Sequence, residues 1–255
     1  MFIPKRFQNM VNTHLLGNML DIPEYPLMMA IVGRPGMGKT LQLRSYLERS
    51  DIKVFSISSA DLESDLAGAP AKLLKSQYVK ASVEISMKRP AALVIDDIDT
   101  TVGEWEQNTG TVNHQGILAF LMHLADNPCY IEGIGVTKRV PIFLTGNRFE
   151  LLYEPLRRPG RMCHFEWEPK VEEKIEIVRE ILGVDDKCIA ERLVKNNPEE
   201  SISFFSSLYA TQNMKIMATM AENVDYFELL TNRTYKSSLQ KLYDDSLGSI
   251  NWNEL

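Results

Sequence analysis

The chain has 255 residues, of which 44% are hydrophobic and 24% charged. This length and composition exclude a disordered protein and suit one sizeable α/β domain, alone or with a small second domain. The net charge of −6 and the lack of a basic stripe argue against a nucleic acid as the main partner. No apolar run approaches the ~20 residues of a membrane span, and the N-terminus lacks the long apolar stretch of a secretory signal. We therefore predict a cytoplasmic protein with no membrane partner.

Alternating strand and helix patterns fill the first two thirds of the chain. Residues 5–20 carry apolar side chains at helical spacing, which predicts an amphipathic helix. Five short apolar runs follow, and four of them are nearly continuous, as in strands that are covered on both faces of a parallel sheet. The intervening stretches predict helices at 39–49, 70–88 and 113–125, so the pattern indicates an α/β fold with right-handed crossovers. The predicted strands are Leu27–Val32, Lys53–Ser58, Ala91–Ile95, Val140–Thr145 and Cys163–Trp167.

The pattern changes after Pro169, because no convincing strand run follows it. The segment VEEKIEIVREILG has apolar residues at helical spacing, and Gly183 stands where a C-terminal cap belongs. Further helices are predicted at about 185–195, 201–221 and 225–243. We therefore expect an α/β domain at residues 1–168 and a small helical lid with the C-terminal tail at residues 169–255.

A phosphate-binding pattern follows the first predicted strand. The sequence GRPGMGKT fits G-x-x-x-x-G-K-[ST], in which glycines let successive backbone N–H groups point at phosphate oxygens. Lys39 supplies a positive charge to the β- and γ-phosphates, and the Thr40 hydroxyl binds Mg²⁺. We predict that ATP or ADP with Mg²⁺ binds here. The predicted nucleotide-binding residues are Gly33, Arg34, Pro35, Gly36, Met37, Gly38, Lys39, Thr40 and Leu41.

Acidic residues end the third predicted strand, as in a Walker B element. We assign Asp96 to the Mg²⁺ shell and Asp97 to the orientation or deprotonation of the attacking water. The alternative is an ordinary surface turn after a buried strand, where aspartate is common. The P-loop about 55 residues upstream favours the catalytic interpretation.

Two further groups are candidates for catalysis. Asn147 follows the fourth predicted strand, and ligands of an open α/β sheet lie at the carboxyl ends of its strands, so Asn147 is expected to bond the γ-phosphate or the water. Arg158 and Arg161 lie in the segment LRRPGR, and arginine stabilises the charge that develops in phosphoryl transfer. A plain turn and a solvated basic loop remain the alternatives.

These motifs, in this order, resemble the AAA+ ATPases, and further stretches resemble Rubisco activase of plants and cyanobacteria over roughly residues 2–210. The resemblance implies an AAA+ P-loop fold with a parallel five-stranded sheet flanked by helices and a helical lid. It covers the ATPase module without the usual N-terminal domain of the family. The stretches that carry it are DLES at 61–64, AGAPAKL at 67–73, TVN at 111–113, ADNP at 125–128, RVPI at 139–142, TGN at 145–147, LYEPL at 152–156 and GRM at 160–162.

The resemblance also implies a function and an assembly. Activases form hexameric rings and use ATP hydrolysis to pull on inhibited Rubisco, so that tight-binding sugar phosphates are released. By this likeness Arg158 and Arg161 would act on the nucleotide of the neighbouring subunit. Residues 64–69 would form the first pore loop and residues 101–111 would contain the second. The compartment would be the cytoplasm or an equivalent of the chloroplast stroma.

One departure from the family keeps alternatives open. Where the family carries the sensor-2 arginine, this chain has Tyr209, Ala210 and Thr211, although Lys215 stands nearby in the sequence. This departure leaves open a slowly hydrolysing, ATP-dependent oligomeric scaffold, and the lack of the usual N-terminal domain leaves open an AAA+ motor for a different protein client. A metabolic P-loop kinase is a further one, but it would need a substrate-hydroxyl site, and residues 170–245 resemble an AAA+ lid instead.

Overall fold

The structure, a computed structural model, describes residues 1–62, 66–99, 112–184, 186–222, 224–250 and 252. Two compact units make up the described chain. One is Ile3–Glu168, and the other joins Met1–Phe2 to Pro169–Leu255. The assignment of these parts as a nucleotide-binding domain and a lid stays a prediction.

A five-stranded parallel sheet forms the centre of the first unit. Its five strands are β1 (Met28–Val32), β2 (Lys53–Ile57), β3 (Ala91–Ile95), β6 (Ile142–Gly146) and β7 (Met162–Glu166). The strand order is β2-β3-β6-β1-β7, so β1, which precedes the P-loop, lies inside the sheet with β6 and β7 as neighbours. This order confirms the predicted α/β class.

Burial explains why the three inner strands read as continuous apolar runs. Every residue of β1, β3 and β6 is buried, because helices cover both faces of the sheet. The outer strands β2 and β7 contain exposed and half-buried residues, with one buried residue in β2 and two in β7. The fourth predicted strand begins two residues late, at Ile142, because Pro141 has no N–H to donate to a ladder.

The helices of this unit are α1 (Lys5–Met19), α2 (Lys39–Arg49), α3 (Ser59–Leu62), α4 (Ala69–Ser86) and α5 (Val112–Asp126). Helix α1 buries Phe7, Val11 and Leu15 on one face, as its helical spacing predicted. None of the helices in the described ranges is long and apolar enough to cross a membrane.

A small antiparallel hairpin was not predicted. Strands β4 (Tyr130–Ile131) and β5 (Gly135–Val136) contribute only two residues each, too few to give a periodic pattern. The left-handed backbone of Gly133 closes the turn, and the Lys75 ammonium donates to the carbonyl of Glu132 at 2.7 Å.

The second unit is helical in its described part. Its helices are α6 (Val171–Leu182), α7 (Lys187–Asn196), α8 (Ile202–Ala221), α9 (Tyr226–Thr231) and α10 (Arg233–Gly248). Gly183 adopts a φ of 64° at the end of α6, as predicted for a C-terminal cap. The single helix predicted at 225–243 is wrong. Asn232 interrupts it with an extended backbone, and its side-chain oxygen caps the N–H groups of Thr234 and Tyr235.

Candidate nucleotide-binding site

The P-loop joins β1 to the first turn of α2. Gly36 and Gly38 have φ values of 75° and 76°, a left-handed conformation that glycine adopts without strain. Gly38 is also the N-cap of α2, and no side chain caps this helix. The N–H groups at the start of α2 are therefore not capped by a side chain. Together with the positive end of the helix dipole, they form a site for an anion. The Leu41 side chain is exposed and apolar. Because it has no hydrogen-bond donor, only the backbone N–H of Leu41 is available to a phosphate.

Trp167 fixes the start of the loop. Its backbone N–H donates to Val32 at 2.7 Å, and its indole Nε1 donates to the carbonyl of Met37 at 2.8 Å. The backbone approaches so closely that a Cβ at Gly33 would lie 2.2 Å from the carbonyl oxygen of Trp167. The first glycine of the motif is therefore required by packing as well as by the turn. The sequence pattern predicts Trp167 only as the end of a strand.

Lys39 lies at the centre of the site and is buried. Its ammonium donates to the carbonyls of Gly33 at 2.7 Å and Arg34 at 3.1 Å. A third bond, of 3.1 Å, reaches the side-chain oxygen of Asn147. Burial lowers the pKa of Lys39, whereas the charges of nearby carboxylates, that of Asp97 first, oppose this shift. Two predicted site residues, 108 positions apart in sequence, thus meet in the structure.

A buried threonine connects the two residues that were assigned to Mg²⁺. The Thr145 hydroxyl donates to Asp96 Oδ1 at 3.2 Å, and it lies 3.1 Å from the Thr40 hydroxyl. The other oxygen of Asp96 pairs with the Arg44 guanidinium. Thr40 and Asp96 supply only oxygen atoms, which are the ligands that Mg²⁺ prefers. Arg44, one helical turn after Thr40, was not singled out from the sequence.

Asp97 follows with an unusual backbone. Its φ is 50°, and its N–H donates to the Thr145 hydroxyl at 3.2 Å. Burial raises the pKa of the Asp97 carboxyl, and the negative charges of Asp96 and Asp99 raise it further, against the opposing charge of Lys39. A carboxyl with a raised pKa at the end of β3 is suited to accept a proton from water.

Asp99 holds the Asn147 loop, a role that the sequence analysis did not assign. Its Oδ2 accepts from the backbone N–H of Asn147 at 2.9 Å and of Arg148 at 3.2 Å. A Cβ at Gly146 would lie 2.9 Å from Asp99 Oδ1. The glycine before Asn147 therefore admits the carboxylate that orients this loop. The signal in the sequence was a third aspartate, two positions after Asp97.

A cavity of about 530 Å³ opens at the carboxyl ends of β1, β6 and β7. Arg34, Pro35 and Asn147 line it, together with Asp99 and His164. Its size lies in the range of small-molecule sites. Among the described residues, no group of three or more His, Cys, Asp or Glu side chains could hold a metal.

The two candidate arginines lie on another surface of the same unit. The Arg161 guanidinium forms a fork with Asp126, with an Nη2–Oδ2 distance of 2.7 Å and an Nε–Oδ1 distance of 2.8 Å. Its Nη1 donates to the carbonyl of Pro155 at 3.0 Å. Arg158 is exposed and lines a pocket with Asp126 and Arg161. Arg158 and Arg161 therefore line the same pocket.

A sequence profile of the ATPase family associated with various cellular activities (AAA) matches residues 29–169, which is more than half of the chain. The matched segment holds the P-loop, Asp96, Asp97, Asn147 and both arginines. The chain belongs to this AAA family. The predicted AAA+ fold is thereby confirmed.

This AAA protein is also similar to proteins named ribulose bisphosphate carboxylase/oxygenase activase. It is 39% identical over 218 residues to the one of Anabaena sp., a match that covers 81% of this chain and 52% of that protein. The chloroplastic protein of Chlamydomonas reinhardtii is 38% identical over 219 residues, with 82% and 54% covered. That of Zea mays is 37% identical over 220 residues, with 82% and 51% covered. The chain thus spans about half the length of the curated relatives it matches. The predicted resemblance to Rubisco activase is confirmed.

Some predictions for this AAA protein fall on residues outside the described ranges. Ser64 and Asp65 of the expected first pore loop are among them, as is the whole of residues 101–111. Tyr209, Ala210 and Thr211, at the expected sensor-2 position, lie on α8, as does Lys215.

Proposed function

We propose that this chain binds and hydrolyses ATP as an AAA+ remodelling motor. The observation that carries the proposal is the convergence of chemically suited side chains at the carboxyl ends of β1, β3 and β6. Lys39 and Asn147 are hydrogen-bonded to each other, and Thr40 and Asp96 share a threonine partner. The N-terminus of α2, which no side chain caps, adds an anion site.

Each residue has a definite task in this proposal. The backbone of residues 33–41 and the Lys39 ammonium bind the phosphates, and Asn147 orients the γ-phosphate or the attacking water. Thr40 and Asp96 would hold Mg²⁺, which neutralises charge on the phosphate oxygens when it is bound. Asp97 accepts the proton of the water, which its raised pKa favours.

The client and the assembly are inferred from the relatives. We propose a hexameric ring in which Arg158 and Arg161 act on the nucleotide of the neighbouring subunit. We also propose that the client is Rubisco carrying a tight-binding sugar phosphate, in the cytoplasm or a compartment equivalent to the stroma. The names of the relatives support this client. Because the chain matches only about half of their length, recognition of Rubisco is the part of the proposal that the experiment must test.

A slowly hydrolysing scaffold is the second candidate. The observation in its favour is the sequence Tyr209-Ala210-Thr211 on α8, at the position where the family carries its sensor-2 arginine. Without that charge the γ-phosphate has one cation fewer during transfer. An AAA+ motor for a different protein client is the third candidate.

The test is steady-state phosphate release by the purified chain, with and without inhibitor-bound Rubisco. We expect Mg²⁺-dependent turnover and recovery of carboxylase activity, and no turnover by Lys39→Ala, which loses the phosphate-binding charge. Turnover without recovery would retain the ATPase and reject Rubisco as the client. Tight ATP binding with negligible turnover would favour the scaffold, and unchanged ATP affinity of Lys39→Ala would reject the assignment of the P-loop.

A further inference from the structure

Thr145 occupies a central position among the residues proposed to hold Mg²⁺. It is the last residue but one of β6, and it is fully buried. Its hydroxyl contacts three groups from two segments outside β6. These are the Thr40 hydroxyl on α2, the Asp96 carboxylate after β3 and the backbone N–H of Asp97.

The hydrogen-bond inventory of a hydroxyl determines the direction of each bond. A threonine hydroxyl has one proton to donate and two lone pairs to accept with. Thr145 donates its proton to Asp96 Oδ1 and accepts from the N–H of Asp97. In the remaining contact, of 3.1 Å, Thr145 must therefore be the acceptor and Thr40 the donor.

This direction has a consequence for the Thr40 oxygen. A hydroxyl ligates a cation through a lone pair, and a proton that points at the cation opposes binding. With its proton given to Thr145, Thr40 presents its lone pairs away from that bond. The same Thr145 hydroxyl holds Asp96 Oδ1, while Arg44 pairs with the other carboxylate oxygen. One buried side chain thus orients both metal-binding groups before any ligand arrives.

We propose that Thr145 is a positioning residue for Mg²⁺, which fixes the proton of Thr40 and the carboxylate of Asp96. It touches neither nucleotide nor metal in this role and acts through its two neighbours. This inference rests on the proposed nucleotide-binding function. It adds a supporting hydroxyl from β6 to the two proposed metal ligands, Thr40 and Asp96.

The test measures Mg²⁺-dependent nucleotide binding instead of turnover. A fluorescent N-methylanthraniloyl-ADP is titrated in EDTA and then at increasing free Mg²⁺. For Thr145→Val we expect unchanged affinity in EDTA, because Lys39 and the P-loop are intact. We expect the free Mg²⁺ needed for half-maximal tightening to rise by about tenfold or more, the effect of losing a hydrogen bond to a charged group. Thr145→Ser, which keeps the hydroxyl, should stay within about threefold of the unchanged chain.

The matched control is Thr137→Val, at another buried threonine whose hydroxyl donates to the carbonyl of Pro128. It should leave the Mg²⁺ midpoint unchanged. If Thr145→Val does not fold, Thr145→Cys takes its place, because a thiol is a weak donor of similar size. An unchanged midpoint in the folded variant, or an equal shift in Thr145→Ser, would overturn the positioning role. Absence of nucleotide binding by the unchanged chain in both media would overturn the proposed function instead.

Discussion

At the scale of single residues, the site brings several like charges close together. Asp96, Asp97 and Asp99 lie within four consecutive positions, and each has a different neighbour. Asp96 pairs with Arg44, and Asp99 accepts from two backbone N–H groups. Asp97 has the raised pKa, because burial and the other two carboxylates disfavour its charge. The differences in partner therefore separate the proposed metal ligand Asp96, the proposed proton acceptor Asp97 and the structural support Asp99.

The variant Asp97→Asn tests two effects of this carboxyl, its proposed catalytic role and its cost to the stability of the fold. A carboxyl whose pKa is higher in the folded state than in the unfolded state stabilises the fold only while it is protonated. That stability is present below the unfolded pKa and is lost as the pH rises through the folded pKa. At neutral pH the neutral asparagine should therefore raise the free energy of unfolding, and the gain should shrink as the pH is lowered toward the ordinary aspartate range. Urea unfolding at several pH values measures this difference.

The same variant should bind nucleotide but hydrolyse it slowly. Loss of a general base typically costs about 10²–10⁴-fold in rate. Asparagine also tolerates the left-handed backbone of position 97, so the loop should keep its shape. Turnover equal to that of the unchanged chain would show that Asp97 has only a structural role.

At the scale of elements, helix α1 buries a polar side chain against the sheet. His14 is fully buried, and its Nε2 lies 3.2 Å from the carbonyl oxygen of Ile142 on β6. Burial lowers the pKa of His14 to about 3, and the positive charge of Arg139 lowers it in the same sense. The helix that precedes the P-loop strand is therefore docked by a neutral imidazole.

This histidine predicts acid sensitivity. A base with a depressed folded pKa stabilises the fold above its unfolded pKa, near 6.5, and that stability is lost as the pH falls toward about 3. Unfolding free energies measured across this range should fall by up to a few kcal/mol from this group. His14→Gln should flatten the slope, whereas His123→Gln, at a histidine that is not buried, should retain it. Equal slopes in both variants would contradict the assignment.

A second element-scale prediction concerns the break between α9 and α10. Asn232→Ala removes the side-chain oxygen that caps α10 and should cost about 1 kcal/mol. Asn232→Asp keeps the oxygen and should cost little. Amide exchange in the first turn of α10 reports the loss locally. Equal protection in both variants would mean that the cap does not stabilise this helix.

At the scale of the whole molecule, the proposed ring requires residues that act between copies of the chain. Arg161 is held by Asp126 and Pro155 of its own unit, so its guanidinium is already oriented at a surface. A bidentate ion pair of this kind restricts the rotamers of a long side chain. Such an arginine is suited to act on a ligand of a neighbouring copy.

Mixing experiments test that role. When Arg161→Ala is mixed with Lys39→Ala, and each is inactive alone, we expect turnover to reappear, because an Arg161→Ala copy keeps its own P-loop and receives Arg161 from a Lys39→Ala neighbour. Arg89→Ala is the matched control, since Arg89 is exposed and pairs with Glu84 of the same unit. Arg89→Ala should keep full turnover without any complementing copy. Mixtures of Arg161→Ala and Lys39→Ala that stay inactive would place the action of Arg161 within one copy.

The sequence alone determined the fold class, the P-loop, the acidic strand end and the family resemblance. These features depend on local patterns: buried strands read as continuous apolar runs, and a phosphate loop needs glycines at fixed spacing. The sequence left undetermined the contacts between residues that are far apart. Four such contacts form only because the parallel strands bring their carboxyl ends to one edge of the sheet. They are the contacts of Trp167 with the P-loop, of Asp99 with the Asn147 backbone, of Arg44 with Asp96 and of the Thr145 hydroxyl with Asp96. The break at Asn232 was missed for a different reason, because one capping side chain outweighs a helical pattern that continues on both sides of it.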